Sequence, residues 1–240
     1  MPTTASWLIP IWKARADWLS QCLDSCALAS GNIEHEIVAC LDGPVEDRAV
    51  REVLRQWAEA DNFHLSNFRV NRGVEYALNE CIARAKGDYF ARIDADDWSE
   101  PFRLQKQIEF LDKYALDACG SWMRVVPEKG IGGTMKWQEF YREGEAYGLL
   151  MDRKTPCAHP ATLFRASSIR SLGADAYPLG YRRAEDLALH CRAFQRGWKI
   201  GNVQEPLVNY RTHDGSTCVE WGPEQYESSK KAIREWHKLK

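Results

Sequence analysis

The first hundred residues alternate between two spacings of apolar side chains. Trp7 to Ile11 is an apolar run stopped by Pro10, which reads as a short buried strand. Leu19, Cys22, Leu23 and Cys26 then recur at i, i+3, i+4 and i+7, the spacing of one helix face. His35 to Leu41 reads as a second strand, ending at Asp42-Gly43-Pro44, a turn signal. Val50, Val53, Leu54 and Trp57 return to helical spacing, and Phe63 to Val70 is a weaker strand. Leu78, Cys81, Ile82 and Ala85 mark a third helix, with Gly87 as its C-cap. Asp88 to Ile93 is a fourth strand. A fourth helix carries Leu104, Ile108 and Leu111, with Ser99 as N-cap and Pro101 in its first turn.

Four β-α units in a row predict an α/β domain, Rossmann-like, with a mostly parallel central sheet and helices on both faces. Such sheets bind ligands at the carboxyl ends of their strands, which places Pro10, Asp42 and Asp94 to Asp97 on one rim. The second half is less regular. Residues 127–160 are glycine-rich and read as loop with one short helix near Glu143 to Met151. Ala161 to Arg165 reads as a strand, Glu185 to Arg196 as a helix closed by Gly197, and Leu207 to Tyr210 as a last strand. Glu224 to Lys240 is a helix with Tyr226, Ile233 and Trp236 on its apolar side. The chain therefore divides into halves at 1–118 and 119–222 with a C-terminal helix at 223–240, all within one domain.

Composition narrows this further. A length of 240 residues suits one large domain. The net charge of −2 carries no signature for nucleic acid. No apolar run approaches the roughly 20 residues that span a bilayer. Met1 to Ser6 lacks the charged and apolar regions of a secretory signal, so a cytoplasmic location is expected. The eight cysteines are scattered, mostly within apolar periodic stretches, and read as buried free thiols.

Chemistry concentrates in a few places. Asp94, Asp96 and Asp97 follow an apolar strand, and like charges so close repel unless a cation or water separates them. They read either as an acidic turn or as a site for a hard divalent ion, Mg²⁺ or Mn²⁺, holding a diphosphate. Glu185-Asp186 opens a helix, where carboxylates cap the dipole or take a proton from an acceptor hydroxyl. His213 follows a strand, with Arg211 beside it, placed to complete a metal shell or touch diphosphate. His159-Pro160 precedes a strand and would line the acceptor side, and His190 reads as structural. Arg72, in Asn71-Arg72-Gly73, would reach a phosphate. No Gly-x-Gly-x-x-Gly or Walker-type loop occurs, which argues against dinucleotide and P-loop chemistry.

Taken together, several segments resemble a known family. Ile9-Pro10-Ile11, Asp42, Asn71 through Ala77-Leu78-Asn79 to Ala91-Arg92-Ile93-Asp94-Ala95-Asp96-Asp97, Pro101 and Arg103, His159-Pro160 and Glu185-Asp186-Leu187 look like family 2 glycosyltransferases of the GT-A fold, the kind that build bacterial polysaccharide and lipopolysaccharide. The resemblance implies an inverting transfer of one sugar from a nucleoside-diphosphate sugar, with a UDP-sugar as first choice. It implies a nucleotide-sugar-binding half at 1–118 and an acceptor and catalytic half at 119–222. Pro10, Arg72, His159 and Arg211 would line the donor site, Asp42 would hold the base and Asp94 would sit near the ribose. Asp96, with Asp97, would hold the metal, His213 would be a further ligand, and Asp186 beside Glu185 would be the general base. The chain departs from the family at Leu41-Asp42-Gly43-Pro44, where many members carry Asp-Asp-Gly-Ser, leaving one carboxylate for the base.

Two other readings compete. A sugar-nucleotide pyrophosphorylase would show a glycine-rich loop after the first strand, where this chain has Trp12-Lys13-Ala14-Arg15. A non-catalytic sugar-binding module would not need both the aspartate cluster and Glu185-Asp186. The acceptor is expected to be a glycan or lipid-linked hydroxyl. Trp98, Trp122, Trp137, Trp198 and Trp221 are candidates to stack on sugars, although most of the tryptophans read as core. Lys230, Lys231, Arg234, Lys238 and Lys240 beside Trp236 suggest peripheral contact with an anionic membrane face.

Overall fold

The computed structural model describes residues 3–141, 143–214 and 222–237. Strands β1 (Thr4–Ile11), β2 (Glu34–Leu41), β3 (Phe63–Asn67) and β4 (Tyr89–Arg92) form the parallel half of one sheet, in the order β3-β2-β1-β4. The order continues through β8 (Leu163–Arg165), β6 (Ala118–Pro127), β9 (Ile200–Thr212) and β5 (Trp98–Ser99), and β7 (Gly133–Met135) pairs with β6. This second half is mixed: β8 is antiparallel to β4 and β6, while β9 is parallel to β6.

Side-chain alternation explains the layers. Trp7, Ile9 and Ile11 of β1 and Ile37, Ala39 and Leu41 of β2 face one core. Helices α1 (Ala16–Leu28), α2 (Arg48–Trp57) and α4 (Arg103–Lys113) cover that face through Leu19, Cys22, Leu23 and Cys26, Val50 and Leu54, and Leu104, Ile108 and Leu111. Leu8, Val38 and Cys40 face the other core, covered by α3 (Val74–Arg84), α6 (Ala166–Ser171) and α7 (Glu185–Gln195). Helices α5 (Glu143–Met151) and α8 (Pro223–His237) close the end of α7 through Leu150, Ile233 and Trp236.

Pro10 sits within β1 rather than ending it. Pairing with β4 ends at Leu8, and Pro10 faces that same side, so its missing N–H interrupts no ladder bond. Two expected caps are corrected. Ser99 does not cap α4, because it pairs with Val208 in β5, and the helix starts four residues later behind Phe102 at φ +61°. Gly87 does not cap α3, which ends at Arg84. It lies against β1, where a Cβ would come within 2.7 Å of the Ala5 carbonyl carbon and the Ser6 nitrogen. Residues 127–160 also hold more than loop and one helix, since β7 and the end of β6 lie within them.

Seven cysteines, at 22, 26, 40, 81, 119, 157 and 191, are buried and unpaired as disulfides. Cys218, Trp221, Lys238 and Lys240 lie outside the described residues.

Candidate active site

The acidic turn is made where β4 runs out. Ile93 N–H still reaches the Leu8 carbonyl at 3.3 Å, after which Asp97 N–H bonds the Asp94 carbonyl at 3.1 Å and the chain reverses into β5. Among the described residues, ligand-forming atoms of Asp94, Asp96 and Asp97 lie within 4.8 Å of one another. Each carboxylate is held from a different direction. Arg92, two residues back and on the same side of the strand, grips Asp94 with both guanidinium nitrogens, one of them at 2.7 Å. His213 Nε2 is 3.0 Å from Asp96 Oδ2. Arg211 N–H donates to Asp97 Oδ1 at 2.8 Å, while Asp97 Oδ2 is buried without a partner among the described residues. Burial, and then the charges of Asp94 and Asp96, push the Asp97 carboxyl well above the usual carboxylate range. Burial also raises Asp94, against the pull of Arg92.

The brace for this turn comes from β9 and α1. The Arg211 guanidinium lies 4.7 Å from the ring centres of both Trp18 and Trp98. Its Nε donates to the Asp96 carbonyl at 2.9 Å, and another nitrogen donates to Gln21 Oε1 at 2.6 Å. Arg211, expected at the diphosphate, thus has its guanidinium committed to protein groups that shape the turn. The His213 ring sits 4.7 Å from that of Trp18.

At the far end of the parallel rim, Asp42 is 3% exposed and already occupied. It accepts from Asn71 Nδ2 at 2.7 Å, Arg72 N–H at 2.6 Å and Gly73 N–H at 2.9 Å. This clasp fixes the 71–73 loop against the end of β2. The exposed Arg72 side chain lies over Tyr76, 4.2 Å from its ring centre.

The opposite wall is built from the start of α7 and the 3-10 turn His159–Ala161. The Glu185 side chain is 13% exposed, its Oε2 is buried with no partner among the described residues, and burial followed by the charge of Asp186 pushes its carboxyl up to about 8. His159 Nδ1 lies 3.9 Å from Glu185 Oε1, and its Nε2 lies 2.8 Å from the Tyr177 hydroxyl. Burial and the Arg92 charge hold His159 well below the ordinary histidine range, so it is neutral at pH 7. Asp186 Oδ1 accepts the Leu187 N–H at 2.7 Å. His190 has the structural surroundings expected of it, with Nδ1 2.7 Å from the Asp186 carbonyl and Nε2 3.3 Å from Cys157 Sγ. The two walls face each other: the charge of Asp186 reaches Asp94, and that of Glu185 reaches Arg92.

Sequence reasoning gave Arg92 and Tyr177 no role. Arg92 was findable, because an arginine inside an apolar strand, two residues before a carboxylate, points to the same side. Tyr177 carries no local signal. Of the candidate tryptophans, Trp198 is buried core, while Trp98, Trp122 and Trp137 are partly exposed.

Comparison with known proteins agrees with this architecture. The family model described as Glycosyl transferase family 2 matches residues 6–173. EpsE of Bacillus subtilis (strain 168) is 32% identical over 179 residues, covering 73% of this chain and 62% of EpsE. The O-antigen biosynthesis glycosyltransferase WbnJ of Escherichia coli is 28% identical over 197 residues, covering 79% of this chain and 72% of WbnJ. The crystal structure of S. aureus TarS 1-349 in complex with UDP-GlcNAc superposes with a TM-score of 0.73 at 17% identity, over 97% of this chain and 66% of that one. The chain thus spans less than two thirds of EpsE and about two thirds of that TarS structure, which shares its GT-A-like fold. With the family model covering most of its length, the chain belongs to glycosyl transferase family 2.

Proposed function

We propose that this chain is an inverting, metal-dependent transferase that moves one sugar from a nucleoside-diphosphate sugar, a UDP-sugar first, to a hydroxyl on a glycan or lipid-linked acceptor. The observation that carries the reading is the placement of Asp94, Asp96 and Asp97 at the end of β4, facing Asp186 at the start of α7. The names and contents of WbnJ and the UDP-GlcNAc-bound TarS support a glycan product and a nucleotide-sugar donor.

The residues fit a divalent cation. The buried Asp97 Oδ2, without a partner among the described residues, is a hard oxygen donor beside Asp96, and positive charge there would relieve the repulsion that helps to raise the Asp97 carboxyl. Asp96 and Asp97 would hold the ion, and His213 would join them by giving up its contact with Asp96. When bound, Mg²⁺ or Mn²⁺ would neutralise the charge that develops on the departing diphosphate.

The remaining chemistry belongs to the chain. Asp186 takes the proton of the acceptor hydroxyl. The hydroxyl oxygen bonds the anomeric carbon from the face opposite the diphosphate, the bond from carbon to diphosphate oxygen breaks, and configuration inverts. Glu185, pushed up to about 8, keeps its proton at neutral pH, which leaves the role of base to Asp186. Arg92 fixes the Asp94 carboxylate toward the ribose.

Contact with an anionic membrane face, on the cytoplasmic side, would rest on the exposed Lys231 and Arg234 together with Lys230. Trp236 is buried against Leu187 and Cys191 and offers no anchor. Among the described residues no helix is long and apolar enough to cross a membrane.

The test is Asp186→Asn, assayed for transfer and, by calorimetry with Mn²⁺, for UDP-sugar binding. Transfer should fall about 10²- to 10⁴-fold with donor affinity retained. A variant that transfers at the normal rate removes the base assignment. Donor binding without turnover in the wild type, across metals and acceptors, would favour a binding module.

A further inference from the structure

Glu75 stands in the first turn of α3, 3% exposed, and among the described residues its carboxyl has no hydrogen bond or ion pair. By contrast, Glu36 accepts from Ser6 Oγ and Lys86 N–H, and Glu80 binds Arg84. A glutamate at a helix start often bonds back to the N-cap N–H. That donor is taken here, because Gly73 N–H already bonds Asp42 at 2.9 Å. The Glu75 carboxyl instead folds over Gly73, close enough that a Cβ there would lie 2.6 Å from Oε2. A buried carboxyl with no partner is costly, and its retention points to a partner that arrives with a ligand.

The neighbours locate it. Asn79, one helical turn further on the same face, exchanges two hydrogen bonds with the Tyr177 backbone, at 2.8 and 2.9 Å. Tyr177 touches His159, which faces Glu185. Glu75 is also close enough for its charge to act on Glu185. Glu75 and Glu185 therefore share one wall, each with a buried oxygen that lacks a partner among the described residues.

We propose that Glu75 and Glu185 form a sugar-reading pair, hydrogen-bonding hydroxyl or amino groups of a sugar ring at the transfer site and so determining which sugar is taken. The proposal rests on the nucleotide-sugar reading above. Acceptor oxygens at Glu75, beside a Glu185 carboxyl that keeps its proton and so both accepts and donates, suit ring hydroxyls, which do both, while the place of diphosphate is at the metal end. Leaving such groups unmet also discriminates strongly against a ring that lacks the matching donor. The ring would belong to the donor or to the acceptor.

The experiment uses the whole chain, wild type against Glu75→Gln and Glu75→Ala. Binding of UDP, UDP-Glc, UDP-Gal and UDP-GlcNAc with Mn²⁺ is measured by calorimetry, acceptor KM by transfer assay, and melting without ligand. Glu75→Gln should bind UDP as the wild type does and bind the preferred UDP-sugar about tenfold or more weakly, the loss of a hydrogen bond to a charged group. Its melting temperature should stay or rise, since an unpaired buried carboxyl is removed. Unchanged donor binding with a raised acceptor KM assigns the pair to the acceptor ring and upholds it. The proposal is overturned if both variants match the wild type in every constant. Equal weakening of UDP and UDP-sugars with a lower melting temperature marks a structural residue and also overturns it. A wild type that binds none of these nucleotides would instead sink the nucleotide-sugar reading itself, and the pair with it.

Discussion

Individual side chains here are held away from their solution behaviour by burial, and Glu185 shows the consequence most directly. Its carboxyl is pushed up to about 8 from an ordinary 4.5 by burial, then by Asp186. The folded state therefore keeps a proton that the unfolded chain releases between those values. That contribution to stability is complete below pH 4.5 and is lost as pH rises through 8. Glu185→Gln cannot lose a proton. It should melt above the wild type at pH 9, by roughly 2–4 °C for each kcal/mol gained, and the gap should close as pH falls toward 4.5. Melting curves from pH 4.5 to 9 check this, and a gap constant across pH would contradict it. The carboxylates of the site were legible in the sequence because clustered like charge is conspicuous. Glu75 and Tyr177 were not, because what makes them unusual is the company brought by segments a hundred residues away, such as the link from Asn79 to Tyr177.

At the scale of elements, periodicity revealed β1 to β4 and α1 to α4, since each buries an apolar set at a regular interval. It missed β6, whose inner residues Gly120 and Ser121 are small or polar, and it caught only four residues of β9, which spans Ile200–Thr212. Glu205 and Pro206 interrupt the apolar pattern there, and the register with β6 shifts nearby. These strands are defined by pairing rather than by their own composition. That matters for the site, because Arg211 near the end of β9 ties the acidic turn to α1 through the Asp96 carbonyl and Gln21. Arg211→Ala should lower stability by about 1–3 kcal/mol, from one half-buried cation between two rings and its hydrogen bonds. It should also weaken Mn²⁺-dependent donor binding, while Arg211→Lys should recover little, lacking the planar fork. Urea titration and calorimetry read both effects, and a variant unchanged in each would show the brace to be dispensable.

For the molecule as a whole, the single sheet with two helical layers was foreseeable from alternating β-α units, and the TarS comparison shows the same fold at 17% identity. The role of α8 was not foreseeable. Its apolar side, read from sequence as adjoining a basic surface, is spent on packing against α5 and α7. The buried cysteines turn the two-sided architecture into something measurable. Cys22, Cys26 and Cys119 lie in one core, Cys40, Cys81 and Cys157 in the other, and Cys191 beneath α8. None can meet a thiol reagent until its own layer opens, so each is a clock for that layer. Of these seven, mass-resolved alkylation in native buffer should modify Cys191 first and the six others far more slowly, with nucleotide-sugar and Mn²⁺ slowing Cys157 beside His190 more than Cys40. Simultaneous labelling of all seven would mean that the protein opens only as one unit. These seven thiols, read from sequence as buried and free, would then report, layer by layer, how firmly the fold is closed.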